Sequence, residues 1–81
     1  MRVKIFVSLK KGVLDPQGKA IEHSLQTLGY AEVHDVRVGK YLDLDVDAPS
    51  PAAAEVRIRE FCDKLLANPV IEDYRFEISV E

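Results

Sequence analysis

GVLDPQGKA, residues 12–20, decides where the first helix of this 81-residue chain begins, and with it the fold. Gly12, a five-residue spacer and Gly18-Lys19 come close to the spacing of a phosphate-cradling loop. That loop needs four residues between its glycines and a Ser or Thr after the lysine, whose hydroxyl ligates magnesium. Here the spacer is one residue too long, and Ala20 stands in place of the hydroxyl. Asp15-Pro16 reads instead as an N-cap followed by proline at the first helical position, where a missing N–H does no harm. Gly18 and Lys19 then lie inside the first helical turn rather than in a cradle. A glycine there costs about 1 kcal/mol relative to alanine. Capping does not ask for it; close backbone approach by another chain or a ligand does.

Before this stretch, Val3, Ile5, Val7 and Leu9 alternate with Lys4, Phe6 and Ser8, a period-2 strand with one buried face. After it, Ile21, Leu25 and Leu28 recur at helical spacing and Gly29 sits at a C-cap position, so residues 16–28 are expected as a helix. Val33 to Val38 reads as a second strand, with Gly39-Lys40 as a two-residue hairpin turn. Leu42, Leu44 and Val46 then alternate with Asp43, Asp45 and Asp47. Ser50-Pro51 repeats the cap-and-proline signal, and Ala54, Ile58, Phe61, Cys62 and Leu65 make the apolar stripe of a second helix. Glu55/Arg59 and Glu60/Lys64 are favourable i,i+4 pairs on it, and Asn68-Pro69 ends it. In the final strand Tyr74, Phe76, Ile78 and Val80 alternate with Arg75, Glu77 and Ser79.

The expected fold is therefore α+β, in the order β-α-β-β-α-β over residues 1–81 as one domain. Four strands form a mostly antiparallel sheet, with two helices on its apolar face. Lys4, Phe6, Asp43, Asp45, Arg75 and Glu77 fall on the other face, a mixed surface that is part wet and part subunit contact.

Composition narrows the function. A chain this short buries only about 60% of its unfolded surface, and self-association is one way to add core. The net charge of −3 argues against nucleic acid, which demands a clustered Lys/Arg surplus. The strand KYLDLDVD is acidic where an RNA-recognition sheet needs aromatic and basic residues. Cys62 is the single cysteine, which excludes an intrachain disulfide and a cysteine zinc site. No apolar run reaches membrane-spanning length, and MRVKIFVSLKK lacks a signal-peptide core. A cytoplasmic protein is the economical expectation.

Asp43-x-Asp45-x-Asp47 has the start of a calcium loop, but Ala48 and Ala54 stand where glycine and glutamate belong. Alternate strand residues share one face, so the three carboxylates read as a solvated edge. His23 and His34 have no nucleophile beside them in sequence, and Ser8, Ser24, Ser50 and Ser79 sit in no nucleophile motif. Cys62 lies on the apolar helix stripe and reads as core. No catalytic constellation emerges.

Two stretches carry a resemblance: VSLKKGVLDPQGKAIEHSLQTLGY and VHDVRVGKYLDLDVD, residues 7–30 and 33–47. Together they resemble the PurS family, small subunits of phosphoribosylformylglycinamidine synthase, across essentially the whole chain. The most specific parts are Gly12 to Lys19 and Val36-Arg37-Val38-Gly39-Lys40. The resemblance implies a subunit with no catalytic residue, metal or cofactor of its own. ATP, magnesium and formylglycinamide ribonucleotide would belong to a large PurL-type synthetase subunit, and ammonia release from glutamine to a PurQ-type glutaminase. It also implies a homodimer or homotetramer. The expected partner contacts are Gly12, Asp15, Pro16, Gln17, Gly18, Lys19, Arg37, Gly39 and Lys40. Arg37 and Lys40 remain open to a second reading as contacts to an anionic ligand, or as solvated charges. Two other classes share parts of the pattern: an amino-acid-sensing regulatory module, through Asp15-Pro16-Gln17-Gly18, and a small acylphosphatase. The latter needs a catalytic asparagine, whereas the only one here, Asn68, precedes a proline.

Overall fold

Three strands and two helices make up the fold, in a computed structural model that describes residues 1–80. Strand β1 (Arg2–Leu9) lies at the centre of an antiparallel sheet, between β2 (Gly39–Asp45) and β3 (Glu72–Ser79). Helix α1 spans Pro16–Thr27 and helix α2 spans Pro51–Phe61, continued by a wider π-helical segment, Cys62–Leu66. Both helices start as the sequence dictates. Asp15 caps α1 and Ser50 caps α2, each followed by proline in the first turn.

The alternation in β1 sets the core. Val3, Ile5 and Val7 are buried, and Leu44 and Leu42 stand opposite Val3 and Ile5 on one side. Ile78, Phe76 and Tyr74 stand opposite the same three residues on the other. Ala54, Ile58 and Cys62 of the α2 stripe close over this face and are also fully buried. On the open face Phe6 lies between Tyr41, with ring centroids 5.2 Å apart, and Arg75, whose guanidinium carbon is 4.0 Å from the ring centre. Arg2 reaches Asp43 at 2.7 Å across the same face.

Three expectations require correction. The sheet has three strands, not four: residues 33–38 form no strand and lie outside the sheet, and Asp35 turns through a left-handed backbone at φ 54°. Their amides turn to α1 instead, Val36 N–H to Glu22 and Val38 N–H to Asp15, while Val33 accepts from Gln26. β-branched residues favour extended backbone without specifying a ladder partner. Gly39-Lys40 is accordingly no hairpin turn but the start of β2, paired with Ser8 and Val7. Glycine suits position 39 because a Cβ there would lie 2.5 Å from the Val7 carbonyl oxygen.

The second helix of the expected layer is also displaced. Only α2 sends buried apolar side chains into the core against the sheet; none of the α1 apolar stripe is buried. Helix α1 and the returning residues 30–38 form an arm, which gives the chain extents of 51 × 28 × 14 Å. Its radius of gyration is 16.1 Å, against about 12 Å for a compact chain of this length. The third correction is small: Glu60 pairs with Arg57 at 3.4 Å rather than with Lys64. The backbone widens into the π-helical segment after Phe61, and this rotates Lys64 out of i,i+4 register. Glu55–Arg59 forms as expected, at 2.9 Å.

Candidate partner-binding site

The two stretches singled out in the sequence meet at the base of the arm. A turn closed by Val13 N–H donating to Lys10 O leads from β1 into Asp15. Asp15 is 4% exposed. Its Oδ1 accepts the Gly18 N–H at 2.9 Å, as an N-cap should. Its Oδ2 accepts the Val38 N–H at 2.7 Å, from the far strand of the arm. Those two amides, Val38 first, hold the carboxyl below its usual range; the Arg37 charge adds to this and burial opposes it. A carboxylate so engaged is a structural clamp rather than a free base.

Gly18 sits against this clamp. A Cβ at that position would collide with the Val36 carbonyl oxygen and press on the Asp15 carboxyl. The close backbone approach inferred from sequence is real, but the neighbour is the chain's own return strand. Asp15 and Gly18 therefore shape the site from inside.

Around them the remaining candidates reach the surface. Asp15, Pro16, Gln17, Gly39 and Lys40 share one recess of about 300 Å³ with Leu9, Val38 and Glu72. Gly12 and Arg37 line an adjoining recess of about 370 Å³ with Leu9, Lys11 and Asp35. Arg37 spans the loop by donating from Nη2 to Lys10 O at 3.2 Å. The Lys40 ammonium donates to Leu66 O at 3.1 Å and lies 3.9 Å from Glu72. Lys19 lines neither recess and is exposed on the first turn of α1. Glu72 was not foreseen; it comes from 32 residues beyond Lys40 and no local pattern marks it. Nor was the exposure of Leu65, since helical spacing alone reads it as core.

Cys62 is fully buried under α2, and its thiol is pushed up by that burial and by the neighbouring Asp63 charge. Among the described residues, no group of three or more His, Cys, Asp and Glu is placed to hold a metal ion. No helix among them is long and apolar enough to cross a membrane.

The family model for PurS, phosphoribosylformylglycinamidine (FGAM) synthase, matches residues 2–80. The chain belongs to the PurS family. The PurS subunit of phosphoribosylformylglycinamidine synthase from Bacillus subtilis (strain 168) is 53% identical over 77 residues, which cover 95% of this chain and 90% of that protein. The crystal structure of Methanocaldococcus jannaschii PurS is described as that of one of the subunits of formylglycinamide ribonucleotide amidotransferase in the purine biosynthetic pathway. It matches with a TM-score of 0.87 at 36% identity, over 99% of this chain and 98% of that one. A chain in the structure of PurLQS from Thermotoga maritima matches with a TM-score of 0.87 at 33% identity, over 94% and 93%. The PurS fold thus accommodates the protruding arm, since the matches run through it and nearly end to end.

Proposed function

We propose that this chain is the non-catalytic small subunit of phosphoribosylformylglycinamidine synthase, a cytoplasmic ligase of purine biosynthesis. Its role is to bring together a PurL-type synthetase and a PurQ-type glutaminase so that ammonia passes from glutamine to formylglycinamide ribonucleotide. ATP and magnesium act on the large subunit. The observation that carries this reading is the near full-length likeness to a chain of PurLQS. The buried, doubly engaged Asp15 and the buried Cys62 are consistent with a scaffold, because neither presents a free reactive group.

The recesses at the base of the arm are the surface proposed to meet the larger subunits. Gly12, Pro16, Gln17, Arg37, Gly39 and Lys40 present it, Lys19 stands outside the recesses on the first turn of α1 as a further proposed contact, and Asp15 and Gly18 hold its shape. Co-purification tests the reading: tagged chain should retain both PurL-type and PurQ-type subunits when ATP and glutamine are present. Failure to retain either of them contradicts it.

A further inference from the structure

Arg37 stands apart from the other arginines of this chain, whose carboxylates outnumber its cations. Arg2, Arg57, Arg59 and Arg75 each meet a carboxylate, at between 2.7 and 3.4 Å. Among the described residues Arg37 meets none. Its partner is a carbonyl: Nη2 donates to Lys10 O at 3.2 Å. That bond ties the guanidinium to the Lys10–Val13 turn, and among the described residues no acceptor takes its Nε or Nη1. Lys11, on the same turn, is exposed and likewise has no carboxylate partner among them.

Arg37 and Lys11 line one recess of about 370 Å³ with Leu9, Gly12 and Asp35. A guanidinium held in place is a planar fork, matched to an oxyanion that accepts two parallel hydrogen bonds. The charge of the recess selects the oxyanion. Lys11 and Arg37 bring two positive charges against the single negative charge of Asp35. One carboxylate neutralises the difference, whereas a phosphate dianion overshoots it.

Lys40, the neighbouring cation, is already spent. Its ammonium donates to Leu66 O at 3.1 Å, at the end of the π-helical segment, and lies 3.9 Å from Glu72. Glu72 in turn accepts the Asn68 N–H at 2.7 Å. Lys40 thus braces the start of β2 against the π-helical segment and the start of β3.

We infer that Arg37, assisted by Lys11, binds a carboxylate side chain of a larger subunit of the synthase, and that Lys40 does not. This inference rests on the subunit reading and gives the base of the arm its chemistry. A protein carboxylate is favoured over a small anion because both cations are exposed. Water leaves an exposed ion pair worth little, and a covering protein surface removes that water.

The test is the affinity of the full tagged chain for each larger subunit, with ATP and glutamine present. Arg37 is exposed, so Arg37→Gln should fold, as circular dichroism will report. It should weaken one of the two complexes by about thirtyfold or more, the loss expected when one partner of a covered charge pair is truncated. Lys11→Gln removes no ion pair within the chain and should weaken the same complex by about twofold to fivefold. Lys40→Gln should lower the urea midpoint and leave the affinity of the folded chain within about twofold. Inorganic phosphate titrated into the isolated chain should leave the Arg37 Nε–H NMR signal unsaturated at about 10 mM. Saturation below about 1 mM assigns the recess to a small anion and overturns the inference. Retention of wild type and Arg37→Gln with equal affinity overturns the inference alone, as does a loss with Lys40→Gln as large as that with Arg37→Gln. A wild-type chain that neither subunit retains overturns the subunit reading, and the inference with it.

Discussion

Asp15 Oδ2 accepts the Val38 N–H at 2.7 Å across 23 residues of chain. The same carboxylate caps α1 through Gly18, so one side chain starts the helix and ties its return strand beside it. Asp15→Asn removes this economy, because an amide offers one acceptor and would turn a donor toward a backbone N–H. The arm should loosen while the sheet persists. Hydrogen exchange should speed up at Gly18 and Val38 and stay slow at Val3, Ile5 and Val7.

The pH dependence follows from the same contacts. The carboxyl is depressed in the folded chain by the Val38 and Gly18 amides. Its contribution to stability is full above the unfolded value, about 3.9, and is lost as pH falls through the lower folded value. The Val38 amide NMR signal should therefore titrate below pH 4 in the wild type. In the Asp15→Asn variant that transition should be missing.

Gly18→Ala gives a test by sign. In an open helix this change stabilises by about 1 kcal/mol. Here the new methyl meets the Val36 carbonyl, which is backbone and yields poorly. Denaturation by urea should show destabilisation of about 1–3 kcal/mol, the usual cost of overpacking. A gain in stability would place the return strand elsewhere.

The core is small, so its centre is sensitive. Ile58 is fully buried against β1, and Ile58→Ala should cost about 2–5 kcal/mol. That is a large share of the total for so short a chain. Cys62 reports on the same packing: its thiol is buried and its thiolate disfavoured. Labelling by a thiol reagent should be at least about a thousandfold slower in the native chain than in urea, in line with the small unfolded fraction of a stable domain.

What could be read from sequence was local. The caps at Asp15 and Ser50, the alternation in β1 and β3, and the α2 stripe through Ala54 and Ile58 all depend on near neighbours, and all stand in the structure. The errors concern long-range choices. VHDVRV is rich in β-branched residues, yet it forms no strand: Asp35 takes a left-handed backbone, and the Val36 and Val38 amides are held by Glu22 and Asp15, more than ten residues earlier. The stripe on α1 is amphipathic, but periodicity does not say which surface it meets. Gly18 showed the same limit: its need for a close neighbour was legible, and the identity of that neighbour was not.

The account turns on whether this chain is required for the transfer of ammonia between two larger subunits. The direct measurement compares glutamine-dependent synthesis of formylglycinamidine ribonucleotide by PurL-type and PurQ-type subunits with and without it. Glutamine-dependent activity should be lost when the chain is omitted and restored when it is added back. Equal glutamine-dependent rates with and without the chain would contradict the account.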